Sequence, residues 1–172
     1  LAPRGVPRSL AGTALPFRYN SLGDLEEIAR QYRGEIAAVV MEPVRDHEPE
    51  MGFLEGAAGI AQDLGALLVV DEVSAGFRLN TGGAHLRYGL QPDIAVFAKG
   101  MSNGYPMAAV IGREDPMQIA QETFISSTYW TERVGPAAAI ATIEKYLRQD
   151  VPAHLVRAGQ SVQNGWREAA DR

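Results

Sequence analysis

The sequence predicts an α/β domain, a mostly parallel sheet covered by helices, and three observations carry that expectation. Four short apolar runs, "IAAVVM", "ALLVV", "DIAVFA" and "MAAVIG", lack the alternation of a strand with one wet face. Helical segments or long loops separate them, as crossover connections require. Three of the runs end at a charged residue: Glu42, Asp71 and Lys99. In open α/β sheets ligands bind beyond the carboxyl ends of the strands, so this edge is the candidate site.

Taken in order, residues 1 to about 18 read as an extended, turn-rich leading segment. "SLGDLEEIARQYRG" reads as a helix, with Ser21 as N-cap, acids in the early turns and Gly34 as the stop. "IAAVVMEPV" reads as a strand bounded after Met41 by Glu42-Pro43, and "RDHEPEMG" as a polar loop. "FLEGAAGIAQDLG" is a helix despite Gly56 and Gly59, ending at Gly65. "ALLVVDE", "DIAVFAKG" and "MAAVIG" supply strands two to four. Helices are then expected over about Pro116–Gln121, Gly135–Arg148 and Val151–Asp171.

With 172 residues, 46% hydrophobic and 22% charged, the chain has the composition of a globular domain or part of a larger one. A net charge of -5 without a basic cluster points away from nucleic acid. No apolar run is long enough to span a membrane, and the leading arginines precede no apolar signal region. The absence of cysteine excludes disulfides and thiolate sites and favours a cytoplasmic setting. The chain starts at Leu1 without an initiator Met and stops inside a helix at "NGWREAADR", so it reads as an internal fragment.

The charged strand ends carry the chemistry. "LLVVDE" fits a Walker B strand, but no Gly-Lys-Ser/Thr phosphate loop occurs in these residues. A strand-end acid can also be no more than the first solvated loop residue. Lys99 is more telling. Of 16 basic residues only Lys99 and Lys145 are lysines. Arginine stays protonated, whereas a desolvated lysine can become a nucleophilic amine, the requirement of Schiff-base chemistry. Strand-end lysines also pair with acids for purely structural reasons. A Schiff-base lysine together with an acid for a pyridinium nitrogen is what pyridoxal 5'-phosphate demands, and Asp71 supplies that acid. Val73, two residues on, shares its side of the chain and can pack on the ring.

"VVDEVSAGFR", "PDIAVFAKGMSNGYPMAAVIG" and "STYWTERVGPAAAIATIE" resemble the class III (subgroup II) pyridoxal-phosphate-dependent aminotransferases, the family that includes glutamate-1-semialdehyde aminomutase. The resemblance runs from about Ala14 onward, and the 28 positions from Asp71 to Lys99 agree with it. It implies a partial large domain of the fold-type I pyridoxal-phosphate transferases over residues 1–150. Residues 151–172 would be a helix leading toward a C-terminal small domain. Activity would be amino transfer between a small amino donor and a carbonyl acceptor, or an intramolecular aminomutase reaction, in a homodimer with shared sites. By the same resemblance, Lys99 holds the cofactor and shuttles the proton, Asp71 pairs with the pyridine nitrogen and Val73 packs against the ring. Ser74 lies near the phenolic oxygen, and Thr128 binds the phosphate of the neighbouring subunit's cofactor. Glu42 matches an acid beneath the site.

Two segments depart from the family pattern. "RDHEPEMG" is shorter than the usual glycine-containing loop, and "TYWTERVGP" replaces the usual sequence after the threonine. Trp130, Glu132 and Arg133 there either shape a substrate pocket or pack a subunit interface. The histidines His47, His85 and His154 lack metal-ligand spacing and are expected at the surface or in caps. "GMSNG" lacks a dinucleotide-binding context, so Gly100 and Gly104 are read as letting the backbone turn beside a cofactor. The rival from another class is a non-catalytic remnant lacking a complete site.

Overall fold

The computed structural model describes residues 4–171 of the chain; Leu1–Pro3 and Arg172, the ends of the expected leading segment and last helix, lie outside the described residues. Four strands, β1 (Ala38–Met41), β2 (Leu67–Asp71), β3 (Ile94–Phe97) and β4 (Ala109–Gly112), lie side by side in chain order. β1, β2 and β3 are parallel, and β4 runs antiparallel to β3. Chain length explains the switch. Residues 98–108 between β3 and β4 hold only a 3-10 turn, too little for the helical crossover that a parallel return needs.

Five α-helices complete the fold among the described residues: α1 (Leu22–Gln31), α2 (Phe53–Leu64), α3 (Glu114–Gln118), α4 (Val134–Gln149) and α5 (Val151–Ala170). Ser21 precedes α1 as expected, yet its hydroxyl makes no capping bond. Asp24 in the first turn is instead gripped by Arg18, whose Nε and NH2 each donate at 2.7 Å. Those bonds hold the Asp24 carboxyl well below the usual carboxylate range. α2 ends in a Schellman motif, with Gly65 at φ 65° and the N–H of Ala66 donating back to Ala61 at 2.9 Å. Gly56 sits within α2 for a packing reason. A Cβ there would stand 2.5 Å from Leu22 Cδ1, so the glycine lets α1 and α2 approach. α3 is shorter than expected, and residues Ile119–Glu122 continue it as a 3-10 turn.

The sheet is covered on one face only among the described residues, which corrects the expectation of two covered faces. Register places Val39, Met41, Leu68, Val70, Ala95 and Phe97 on one side, and all are buried. α1 and α2 cover its β1–β2 half, while Met101, Ala139 and Tyr146 pack on Phe97 at the β3 half. Burying each large aliphatic side chain there contributes about 1.5–3 kcal/mol. On the opposite side Val40 and Val110 are 58% and 53% exposed. The apolar runs do not alternate because both faces are apolar, but this segment supplies helices for just one. No described helix is long and apolar enough to cross a membrane.

Candidate active site

The carboxyl edge of the parallel strands gathers the charged residues. Register pairs Met41 with Val70 and Asp71 with Val96, so Glu42 and Asp71 are neighbours at the ends of β1 and β2. Strand alternation then separates the two adjacent acids. Asp71 follows Leu67 and Val69 onto the open face, half-buried, while Glu72 is fully buried on the covered side. Asp71 Oδ1 accepts from the N–H of Val73 at 2.9 Å, which starts a tight turn.

That turn is packed close against the end of β3. Gly76 N–H donates to Glu72 O at 2.8 Å, and Phe77 N–H donates to Gly82 O at 2.7 Å. A Cβ on Gly76 would lie 2.7 Å from Glu72 O and 2.9 Å from Phe97 Cδ1. A Cβ on Gly100 would lie 3.1 Å from Gly76 O. The two glycines therefore let the turn after β2 touch the turn after β3. Between them stands Lys99, opening the 3-10 turn Lys99–Met101 with a left-handed φ of 43°. Such a conformation in a non-glycine residue costs about 1–3 kcal/mol and persists only where the surroundings impose it.

Lys99 Nζ donates to Ser74 Oγ at 2.9 Å. Lys99 is in no salt bridge among the described residues, whose ion pairs lie elsewhere. It is also exposed, so this segment alone does not desolvate it. Asp71, Val73, Ser74 and Lys99 are thus brought together. Thr128 is not tied to them by any hydrogen bond among the described residues and stands in an exposed turn ahead of α4.

Glu42 Oε1 accepts from Arg45 at 3.0 Å, and its Oε2 is buried without a partner among the described residues. It borders a cleft of about 360 Å³ with Tyr19, Val40, Arg45, Asp46 and His47. Tyr19 donates to Pro43 O at 2.6 Å, and burial, with Glu48 and Glu42 nearby, pushes its phenol up to about 12. A second groove of about 510 Å³ runs along α4 between Tyr105 and Lys145. Neither is lined by Asp71 or Lys99.

Two features escaped the sequence reading. His85, expected at the surface or in a cap, has a side chain 12% exposed and bonds the buried Glu72 at 2.7 Å. Thirteen positions separate the partners, beyond any local pattern, so only the unbroken "DE" pair hinted that a second acid needed a partner. Glu132 caps the start of α4, its carboxylate accepting from the N–H groups of Val134 and Gly135. These backbone bonds lower its pKa. His47 and His154 are exposed, as expected. No cluster of potential metal ligands occurs among the described residues.

An open, mostly parallel sheet with a lysine and a carboxylate at its carboxyl edge is an α/β architecture with a candidate site at its rim. The chain belongs to the class-III aminotransferase family, whose sequence model matches residues 17–172. It is 36% identical over 147 residues to 3-aminobutyryl-CoA aminotransferase of Cloacimonas acidaminovorans, covering 81% of this chain and 36% of that protein. It is 35% identical over 173 residues to glutamate-1-semialdehyde 2,1-aminomutase of Roseiflexus castenholzii, covering 96% of this chain and 40% of that protein. The FumI protein of Sphingopyxis sp. MTA144, solved in its PLP internal aldimine form, superposes with a TM-score of 0.83 at 30% identity, over 92% of this chain and 40% of that one. The chain thus spans about 40% of the length of such relatives.

Proposed function

We propose that the full-length protein is a pyridoxal-phosphate-dependent transaminase, moving an amino group from a small amino donor to a carbonyl acceptor. One observation carries the reading: the Lys99 amine, paired with no acid among the described residues, meets Ser74 beside the carboxylate that ends β2. The residues fit the cofactor. Asp71 keeps Oδ2 clear of the Val73 bond on the open sheet face, where a protonated ring nitrogen can meet it. Ser74 offers a hydroxyl next to the amine, and Gly76 and Gly100 keep the floor low.

Bound there, pyridoxal phosphate supplies an electron sink for negative charge developing at a substrate carbon. Asp71 holds a proton on the ring nitrogen by its charge, and Val73 packs against the ring. Lys99 Nζ takes a proton from the substrate carbon and returns one on the far side of the transfer; its bond to Ser74 orients it. Thr128, exposed beside Tyr129 and Trp130, which are 78% and 67% exposed, donates to the phosphate of a neighbouring subunit in a homodimer. Residues 1–150 belong to the cofactor-binding large domain, and α5, with no buried residue, leads toward a second domain. A chain without cysteine suits the cytoplasm.

The test uses the full-length protein with added cofactor. A yellow holoenzyme is expected, with borohydride fixing the cofactor on the peptide carrying "FAKGM". Trapping at the exposed Lys145 instead, or no chromophore, defeats the proposal. The second reading is an intramolecular aminomutase, favoured by the similarity to the Roseiflexus enzyme. Conversion of one substrate with no separate amino acceptor would select it.

A further inference from the structure

We propose that the buried Glu72–His85 pair is a positioning device that holds Asp71, Ser74 and Lys99 in register; the inference rests on the pyridoxal-phosphate reading above. Glu72 is completely buried, yet both of its carboxylate oxygens meet donors across the loop. Its Oε2 accepts from Ala84 N–H at 2.9 Å, and its Oε1 accepts from His85 N–H at 2.8 Å. The His85 ring adds Nδ1 at 2.7 Å from Oε1, and a carboxylate acceptor requires Nδ1 to carry the proton. Gly83 walls the pair in, because a Cβ there would stand 2.1 Å from His85 Nδ1 and 2.9 Å from Glu72 Oε1.

The pair reaches both halves of the site. Glu72 lies between Asp71 and Val73, and its carbonyl accepts from Gly76 N–H at 2.8 Å. The bonds to residues 84 and 85 close the loop 73–83 that carries Ser74. On its other side the His85 ring sits 6.4 Å from the ring of Phe97, two residues before Lys99. A single imidazole therefore bonds the residue that follows β2 and lies beside the last residue of β3, at 6.4 Å between ring centroids. It contacts neither Ser74 nor Lys99 by a hydrogen bond, so it acts through its neighbours. A phenylalanine would keep a flat ring beside Phe97 but would donate nothing to Glu72. A hydrogen-bonded imidazole adds a side-chain donor to the two backbone donors, tying the carboxylate next to Asp71 to a ring that lies beside Phe97.

The experiment compares His85→Phe and His85→Gln in the full-length holoenzyme. The first keeps a flat ring without a donor, and the second keeps an N–H that can reach Glu72. In folded His85→Phe we expect the pH titration of bound-cofactor absorbance to move by about one unit. We also expect kcat/KM to fall about tenfold to a hundredfold, the scale of a misplaced reacting group. His85→Gln should restore most of both. A wild-type titration in folded His85→Phe, or an equal defect in folded His85→Gln, overturns the proposal. Should His85→Phe not fold, the wild-type protein decides. Coupling is reciprocal, so loading the apoprotein should change the hydrogen exchange of the His85 ring C2 position at least about twofold, read by mass spectrometry. Identical rates overturn the proposal. Failure of the wild-type protein to form a chromophore at all would count against the cofactor reading instead.

Discussion

Nζ of Lys99 donates to the hydroxyl of Ser74 at 2.9 Å, joining residues that lie 25 positions apart in the chain. Both sit on turns pressed together by Gly76 and Gly100. The contact is solvent-exposed, so its worth is that of a modest hydrogen bond, about 0.5–1.5 kcal/mol. Ser74→Ala in the full-length protein is expected to lower kcat/KM roughly threefold to tenfold. An unchanged rate would show the contact to be idle.

Asp71→Asn keeps shape and removes charge. Under the proposed function the cofactor still binds through Lys99, but turnover should fall by at least about 10², the usual scale of lost electrostatic stabilisation. Steady-state kinetics with cofactor content measured alongside decides the matter. Near-normal turnover would reduce Asp71 to a strand-end acid.

Thr128 is expected to serve the neighbouring subunit. Mixed dimers with Lys99→Ala on one chain and Thr128→Ala on the other then retain one intact site. Activity should return to about half that of the wild-type dimer by counting sites. No recovery, with heterodimers demonstrated, places Thr128 in its own subunit's site or in none.

Gly76→Ala introduces a Cβ 2.7 Å from a backbone oxygen and 2.9 Å from the Phe97 ring, neither of which can yield freely. A loss of about 1–3 kcal/mol is expected, as for overpacking elsewhere. Gly59→Ala in α2 is the control, since nothing lies within 4 Å of its Cβ position. It should stabilise by about 0.5–1 kcal/mol through helix preference. Equal melting temperatures for the two variants would contradict the close approach of the turns.

Tyr19 carries a pH prediction. Its phenol is raised to about 12, chiefly by burial. A raised pKa means the folded state holds that proton more tightly than the unfolded chain, which loses it near its ordinary value of about 10. The contribution is complete below about pH 10 and disappears as pH rises through about 12. Tyr19→Phe should therefore show a shallower loss of stability across that window in denaturant titrations. Parallel curves would mean that the phenol titrates normally.

Local pattern determined much of this protein. Apolar runs bounded by Glu42-Pro43, Asp71-Glu72 and Lys99-Gly100 placed β1, β2 and β3 and put their charged ends at one edge, because strand length and chain punctuation are properties of neighbouring residues. Lys99 stood out by composition alone, and the motifs around it carried the family. What tertiary structure decided lies beyond that range. Asp71 and Glu72 are adjacent and chemically alike, yet one faces the open side and the other is fully buried, since a strand turns successive residues to opposite faces and only the packed fold says which face is covered. The short link after β3 made β4 antiparallel. His85 became a partner of Glu72 rather than a surface residue because loop closure brings together positions 13 apart, and no periodicity in the chain encodes that meeting.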